Sequence, residues 1–284
     1  MRPLVLTLTA ALTLSLAGAQ VPDSAAIPSL DKYGNKYANL RLERTPDGVL
    51  TVTMHTRGGP FVFDANAHRE FVQAFHDIAS DRANKVVILT GSGDAWLNRI
   101  DFASFGDLSN PQNWDTVYWE GKRLLENFLE IEVPVIAAIN GPATVHTEWM
   151  LASDLIVASN TAEFQDAPHI LGGIVPGDGV NVLWPAVLGP VRGNYFLWTG
   201  QKLSARQALN LGVVSEVVPR SQVMPRAREM AAQLLRVPEL TRRYTRAVLT
   251  LKLRRELAEA VGPGLSLEGT SAADLFRQMQ NQKK

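Results

Sequence analysis

Two short apolar runs of one design constrain this chain most. Lys85-Val86-Val87-Ile88-Leu89-Thr90 ends in Gly91-Ser92-Gly93, and Val133-Pro134-Val135-Ile136-Ala137-Ala138-Ile139 ends in Asn140-Gly141-Pro142. A run that is apolar at successive positions suits a strand buried on both faces, as in a parallel sheet. Between the two runs, Val117, Gly121, Leu124, Leu125, Phe128 and Ile131 recur at helical spacing. That helix is the crossover that two parallel strands require. A third buried strand is expected over 155–158.

The flanks agree with this frame. Leu-Arg-Leu-Glu-Arg at 40–44, the turn Pro46-Asp47-Gly48 and the run 49–55 read as strand, tight turn and strand. Phe71, Phe75 and Ile78 share one face of a helix starting near Ala67, with Asp64 or Asn66 as its cap. Ser204-Ala205-Arg206-Gln207 is a capping box for a short helix that Gly212 closes, and 213–218 then extends. Residues 222–236 and 239–261 read as helices, and no internal repeat or low-complexity tract interrupts the chain. The fold class is layered α/β.

Composition narrows the partners. The 284 residues carry 28 Lys+Arg and 28 Asp+Glu, so no net field draws the chain to nucleic acid or an acidic membrane. A small molecule or another protein fits better, and 46% hydrophobic residues suffice for a large core. Met1-Arg2-Pro3, the apolar run 4–16 and Ala17-Gly18-Ala19 form a charged start, an apolar stretch and a small-x-small site. This pattern predicts a signal peptide over 1–19 and an exported product, periplasmic or secreted. Residues 20–36 read as a flexible leader with order beginning near Tyr37, followed by a core over 37–220 and a C-terminal helical region over 221–284. No later apolar run has membrane-spanning length. The chain has no Cys, which excludes disulfides, thiol catalysis and thiolate metal sites.

The chemistry concentrates in 164–179, where one His and two Asp stand among four Gly and two Pro. Glycine admits close backbone approach or positive φ and proline fixes φ, so this segment should hold a defined irregular shape. His169 and Asp178 lie nine residues apart, and a fold at Gly172-Gly173 and Pro176-Gly177 would return one to the other. In a His–Asp dyad the carboxylate accepts one imidazole N–H and leaves the other nitrogen as a base near neutral pH.

Several motifs resemble the crotonase (enoyl-CoA hydratase/isomerase) superfamily: Lys85 to Gly91, Val133 to Gly141, Asp154 to Ala158, Phe164-Gln165, Val175-Pro-Gly177 and Leu197-Trp-Thr-Gly200. The likeness runs in order through 37–255. It implies stacked ββα units, with a C-terminal helical region used for trimerisation, as a homotrimer or dimer of trimers. The departures carry more. His169 stands where hydratases of this superfamily place a catalytic Glu, and Gly177-Asp178-Gly179 replaces their Gly-Ala-Gly-Gly. Their Gly-rich oxyanion loop is here the bulkier Pro142-Ala143-Thr144-Val145-His146-Thr147, with a second family glutamate kept as Glu148.

This combination is similar to the branch of carbon–carbon hydrolases of the 6-oxocamphor hydrolase type, which cleave cyclic β-diketones without CoA. By that resemblance His169 and Asp178 are the catalytic dyad and His146 a second catalytic His. His68 and Glu268 would bind substrate, with Glu268 brought in from the C-terminal helix, within its own subunit or across to a neighbour. Phe63 stands where that branch has Trp, which removes an indole N–H donor. Backbone N–H groups at Asn98 and within 144–146, Val145 at their centre, are the expected oxyanion donors. The resemblance implies a small-molecule diketone as partner and no cofactor, and the wide spacing of the His residues gives no support to a metal site.

Each residue also has a plain reading. His169 alone is a hydrogen-bonded loop residue, His146 a helix-start residue, His68 a packing or capping residue and Glu268 a surface helix charge. Asp101 and Asp154 read as loop anchors. Two other functions stay open: a CoA-thioester hydratase or isomerase, against which the replaced Glu and the altered loop argue, and a non-catalytic exported binding protein. A mere scaffold has no physical need to bury both His169 and Asp178.

Overall fold

The computed structural model describes residues 28–282. The expected signal peptide, and the leader up to residue 27, lie outside them. A short helix α1 (Leu30–Tyr33) precedes the antiparallel hairpin of β1 (Leu40–Arg44) and β2 (Val49–Met54). Helix α2 (Ala65–Ser80), strand β3 (Val86–Gly91), helix α3 (Pro111–Leu129) and strand β4 (Val135–Ile139) then alternate. A single turn, α4 (Glu148–Leu151), leads to β5 (Leu155–Ser159) and β6 (Glu163–Phe164). Helices α5 (Val180–Leu188) and α6 (Pro190–Thr199), strand β7 (Leu203–Ser204), helix α7 (Ala205–Asn210), strand β8 (Glu216–Val218) and helices α8 (Val223–Leu235) and α9 (Glu239–Gln282) follow.

The main sheet has the order β1-β2-β3-β4-β5-β8, antiparallel only at β1/β2. Every residue of β3 and β4 is buried, which explains their unbroken apolar runs. The pleat divides them between two cores. Val87, Leu89, Val135, Ala137 and Ile139 face the larger one, which also takes Phe71 and Phe75 from α2 and Leu124, Leu125 and Phe128 from α3. Val86, Ile88, Ile136 and Ala138 face the smaller one against Val223, Ala227 and Met230 of α8. Helix α8 is thus the second covering layer of the sheet.

Local signals set most boundaries. Asp64, rather than Asn66, caps α2 by accepting the Ala67 N–H at 2.7 Å. The capping box at Ser204 and Gln207 is complete. Asp154 anchors a loop as expected: it accepts the Val135 N–H at 2.7 Å and pairs with the buried guanidinium of Arg246, tying α9 to the sheet.

Two expectations fail. Order does not wait for Tyr37: Tyr33 is already helical and buried, its hydroxyl donating to Asp81 at 2.9 Å. Helix α9 does not stop at Val261 but continues through Gly262-Pro263-Gly264. There its backbone lies directly on the loop after β6. A Cβ on Gly264 would stand 2.3 Å from the Gly177 carbonyl oxygen, and one on Gly177 would stand 2.2 Å from that of Gly264. Tertiary contact, which only paired glycines admit, outweighs the local helix-breaking signal.

Candidate active site

The loops leaving the carboxyl ends of β2, β3 and β4 are stitched together by isolated bridges, Phe63 to Ile100, Leu97 to Ala143 and Ala143 to Phe164. Ligand sites of open α/β sheets form at this end of the strands. The catalytic-loop candidate joins the same frame through the Ala167 N–H, which donates to Thr144 O at 3.0 Å. On its other side Val175 N–H donates to Ser271 Oγ of α9 at 2.9 Å. These contacts, with the Gly177–Gly264 crossing, bring Glu268 to the loop.

The result is a cleft lined at one end by His146, Glu148, His169, Asp178 and Glu268 and along its sides by apolar groups that include Phe105, Leu124 and Leu265. His169, buried, has Nδ1 2.6 Å from Asp166 Oδ1. Its Nε2 faces Asp178 Oδ2 at 3.7 Å and Glu268 Oε1 at 3.9 Å, both longer than a direct hydrogen bond. Nδ1–H is therefore committed to Asp166, and Nε2 is left to act on a third oxygen. Burial opposes charge on this imidazole, yet Asp178, Asp166 and Glu268 together outweigh it and hold its pKa well above the ordinary value.

His146 is built differently. It has φ +46°, a left-handed conformation costing a non-glycine residue roughly 1–2 kcal/mol. Its ring stacks on Trp149 at 5.0 Å and meets the Phe63 ring at 4.0 Å, and Nδ1 lies 2.6 Å from Glu148 Oε1. Thr147, next in the chain, accepts the Trp184 indole N–H at 3.1 Å, which clamps the loop. Burial lowers the His146 pKa to about 4, and burial with the nearby Asp178 charge raises that of Glu148 well above the usual range. A protonated Glu148 donates to Nδ1, so neutral His146 carries its proton on Nε2 as a hydrogen-bond donor.

Burial also raises Glu268, to about 8, with His169 opposing and Asp178 adding to the shift. His68 lines the cleft through the ring beside Phe63 and is held at Nδ1, 2.8 Å from Glu120, a carboxylate that Arg69 also contacts. Burial lowers the His68 pKa against the pull of Glu120, while Glu120 stays ionised despite its own burial because His68 and Arg69 bind it.

The model of the enoyl-CoA hydratase/isomerase family matches residues 44–282. The chain belongs to that family. Carnitinyl-CoA dehydratase of Salmonella enteritidis PT4 is 33% identical over 201 residues, 66% of this chain and 76% of the relative. A probable peroxisomal enoyl-CoA hydratase 1 of Arabidopsis thaliana is 30% identical over 228 residues, 78% of this chain and 82% of the relative. Among solved structures, a β-diketone hydrolase from the cyanobacterium Anabaena sp. PCC 7120, bound to (S)-3-oxocyclohexyl acetic acid, is 55% identical with a TM-score of 0.85, covering 86% of this chain and 98% of its own. An enoyl-CoA hydratase/isomerase from Mycobacterium paratuberculosis, at 22% identity and TM-score 0.77, shares the fold. The crotonase resemblance seen in the sequence is thereby borne out.

Within this family member, the six side chains singled out from sequence, Phe63, His68, His146, His169, Asp178 and Glu268, all line one cleft. The dyad geometry needs correction: the carboxylate on His169 Nδ1 is Asp166, while Asp178 faces Nε2. Two of the proposed backbone donors, Val145 and Asn98, do not fit. Val145 N–H is engaged by Leu97 O at 3.2 Å because the loop pairs in parallel with the segment after β3, and exposed Asn98 does not line the cleft. Asp166 was marked by a local signal, an Asp three residues before a His. Glu120, 52 residues from His68, had none.

Sequence spacing also hides ligand sets that folding assembles. Donor atoms of His146, Glu148 and Asp178, and of His169, Asp178 and Glu268, lie within 4.8 Å of one another, so either set has the geometry to hold a cation. Asp178 belongs to both.

Proposed function

We propose that this protein is a hydrolase that cleaves a carbon–carbon bond of a cyclic β-diketone by a retro-Claisen reaction, giving a keto acid. The observation that carries this reading is His169, fixed at Nδ1 by Asp166 with Nε2 free beside Asp178, opposite a neutral His146 in a largely apolar cleft. The likeness to the Anabaena hydrolase, whose bound ligand is a keto acid, supports it.

In this reading His169 Nε2 takes a proton from water while the water oxygen bonds to one carbonyl carbon, whose π pair moves to oxygen. Asp178 stabilises the imidazolium that forms. The oxyanion then re-forms its carbonyl and expels the bond to the central carbon, whose electron pair delocalises onto the second carbonyl as an enolate. His146 Nε2–H donates to that enolate oxygen, a form of stabilisation worth roughly 10²–10³ in rate. The imidazolium of His169, or the protonated Glu268, delivers a proton to the enolate carbon. One water is consumed and no cofactor is required. Because the base must be unprotonated and its pKa is raised, kcat/KM should climb on the alkaline side of neutrality.

The test is turnover of bicyclic and monocyclic 1,3-diketones without CoA, with His169→Ala and Asp178→Asn alongside and an enoyl-CoA as the opposing substrate. Loss of diketone that collapses in His169→Ala, and whose pH profile moves to lower pH in Asp178→Asn, supports the reading. Hydration of the enoyl-CoA with no diketone turnover would place the protein with the CoA enzymes, a second reading that the curated relatives favour. Inertness toward both, with ligand binding retained, would favour an exported binding protein.

We propose export from the 1–19 segment, checked by sequencing the N-terminus of the protein recovered outside the cytoplasm. Trimer formation is proposed on the family resemblance, and the exposed apolar stripe of Val191, Tyr195 and Trp198 on α6 offers a contact face. Light-scattering mass would decide it.

A further inference from the structure

Helix α3 presents Trp114, Val117, Gly121, Leu124 and Leu125 to the cleft. Gly121 alone in that stripe contributes no side chain, and it stands inside a helix, where glycine is the poorest residue short of proline.

Several other glycines are explained by packing. A Cβ on Gly91 would lie 2.4 Å from Trp96 O, on Gly141 2.0 Å from Asp94 O, and on Gly269 2.1 Å from the Trp114 indole nitrogen. Gly121 has no such reason. A Cβ there would meet His68 Nε2 and the two Leu265 methyls at 3.6 Å, ordinary van der Waals distance. Alanine fits the fold at this position, and the methyl it would add stands between two groups that themselves line the cleft.

We propose that Gly121 is the residue that sets ring size. The space of its missing side chain receives the bridging carbons of a bicyclic diketone while the reacting carbonyls face His169 and His146. This assignment rests on the diketone reading for its substrate class. His68, pinned through Nδ1 by Glu120 on the residue before Gly121, forms one side of the recess, and Leu265 of α9 forms the other.

The experiment compares wild type with Gly121→Ala and Gly121→Ser on a bridged bicyclic 1,3-diketone and a monocyclic 2,2-dialkyl-1,3-diketone. The kcat/KM ratio of bicyclic to monocyclic should fall at least about tenfold in Gly121→Ala, as one methylene in an apolar pocket discriminates by roughly 10–200-fold. The Tm of Gly121→Ala should rise by about 2 °C, since a helix-interior glycine is replaced without a clash. A folded variant whose ratio stays within twofold of wild type overturns the assignment, as does a Tm that falls in both variants, which would mean that packing requires the glycine. Calorimetric binding of a bicyclic monoketone, which cannot be cleaved, separates this claim from the reaction. If wild type hydrolyses no diketone yet Gly121→Ala still loses at least tenfold in monoketone affinity, the reaction reading fails and the size assignment stands.

Discussion

His169 and His146 lie in one cleft, both in buried surroundings and each with Nδ1 2.6 Å from a carboxylate oxygen. Burial presses both toward the neutral form. His146 yields, its pKa falling to about 4, whereas His169 is driven the other way. The difference lies at both nitrogens: Asp166 accepts the Nδ1–H of His169, whereas a protonated Glu148 donates to Nδ1 of His146. Two further carboxylates, Asp178 and Glu268, face His169 Nε2, while the His146 ring stacks on Trp149 and meets the tilted ring of Phe63. Two identical side chains are thereby set to opposite tasks, one to take a proton and one to give a hydrogen bond.

The harshest way to break that contrast is to remove the base. His169→Ala should lower kcat/KM on a diketone by about 10²–10⁴, the usual contribution of general-base catalysis. An unchanged rate would end the assignment. Close behind stands Asp166→Asn, because the amide NH₂ donates to Nδ1 and forces the imidazole proton onto Nε2, the wrong tautomer for a base. A loss of kcat on the order of 10²-fold or more is expected, by the same logic that makes the orienting carboxylate of a catalytic triad important. Asp178→Asn tests the other nitrogen: by removing the charge that favours imidazolium, it should move the ascending limb of the pH–kcat/KM profile to lower pH. If Asp166→Asn shifts that limb and leaves the plateau intact, the two carboxylates have been given each other's roles.

The His146 corner is sharpened by Glu148→Gln. A glutamine can still donate from its amide to Nδ1, so the neutral, Nε2-protonated imidazole should survive and kcat should fall less than about tenfold. Glu148→Ala leaves the buried Nδ1 unpaired, and at roughly 1–3 kcal/mol for such a group it should cost about 10–100-fold. Equal losses in both variants would mean that Glu148 acts as an ionised carboxylate, against the direction of its shift.

How much of this was legible in sequence follows from how local each determinant is. The β3 and β4 runs, the hairpin turn and the cap at Ser204 depend on residues within one element and were read correctly, and Asp64 was one of the two caps expected for α2. The cleft residues were legible as a group only through family motifs, since no spacing rule joins His68, His146 and Glu268. What escaped was set by contacts between distant segments. The pairing of 143–145 with Leu97 takes the Val145 N–H out of service, and the Gly264–Gly177 crossing carries α9 past a Gly-Pro-Gly that reads as its end. Asp166 was in view beside His169, but the turn that aims it at Nδ1 is a property of the folded loop.

The smallest expected effect concerns stability, and it probes the same field from the acid side. Glu268 is raised to about 8 mainly by burial, so the native state binds its proton more tightly than the unfolded chain, where it ionises near 4.5. Native-state stability then falls as pH rises, because the contribution from this proton is complete below about 4.5 and is lost through about 8. His169 and Glu148, also raised, slope the same way, while His146, lowered, adds stability as pH climbs from about 4 toward its ordinary value. In Glu268→Gln the neutral form is made permanent, so the urea midpoint should fall less steeply between pH 5 and 8 than in wild type, leaving the slope due to the other groups. Parallel curves for the two proteins would show that Glu268 is already ionised across that range. An ionised Glu268 would then add its charge to those of Asp166 and Asp178 in setting His169 apart from His146.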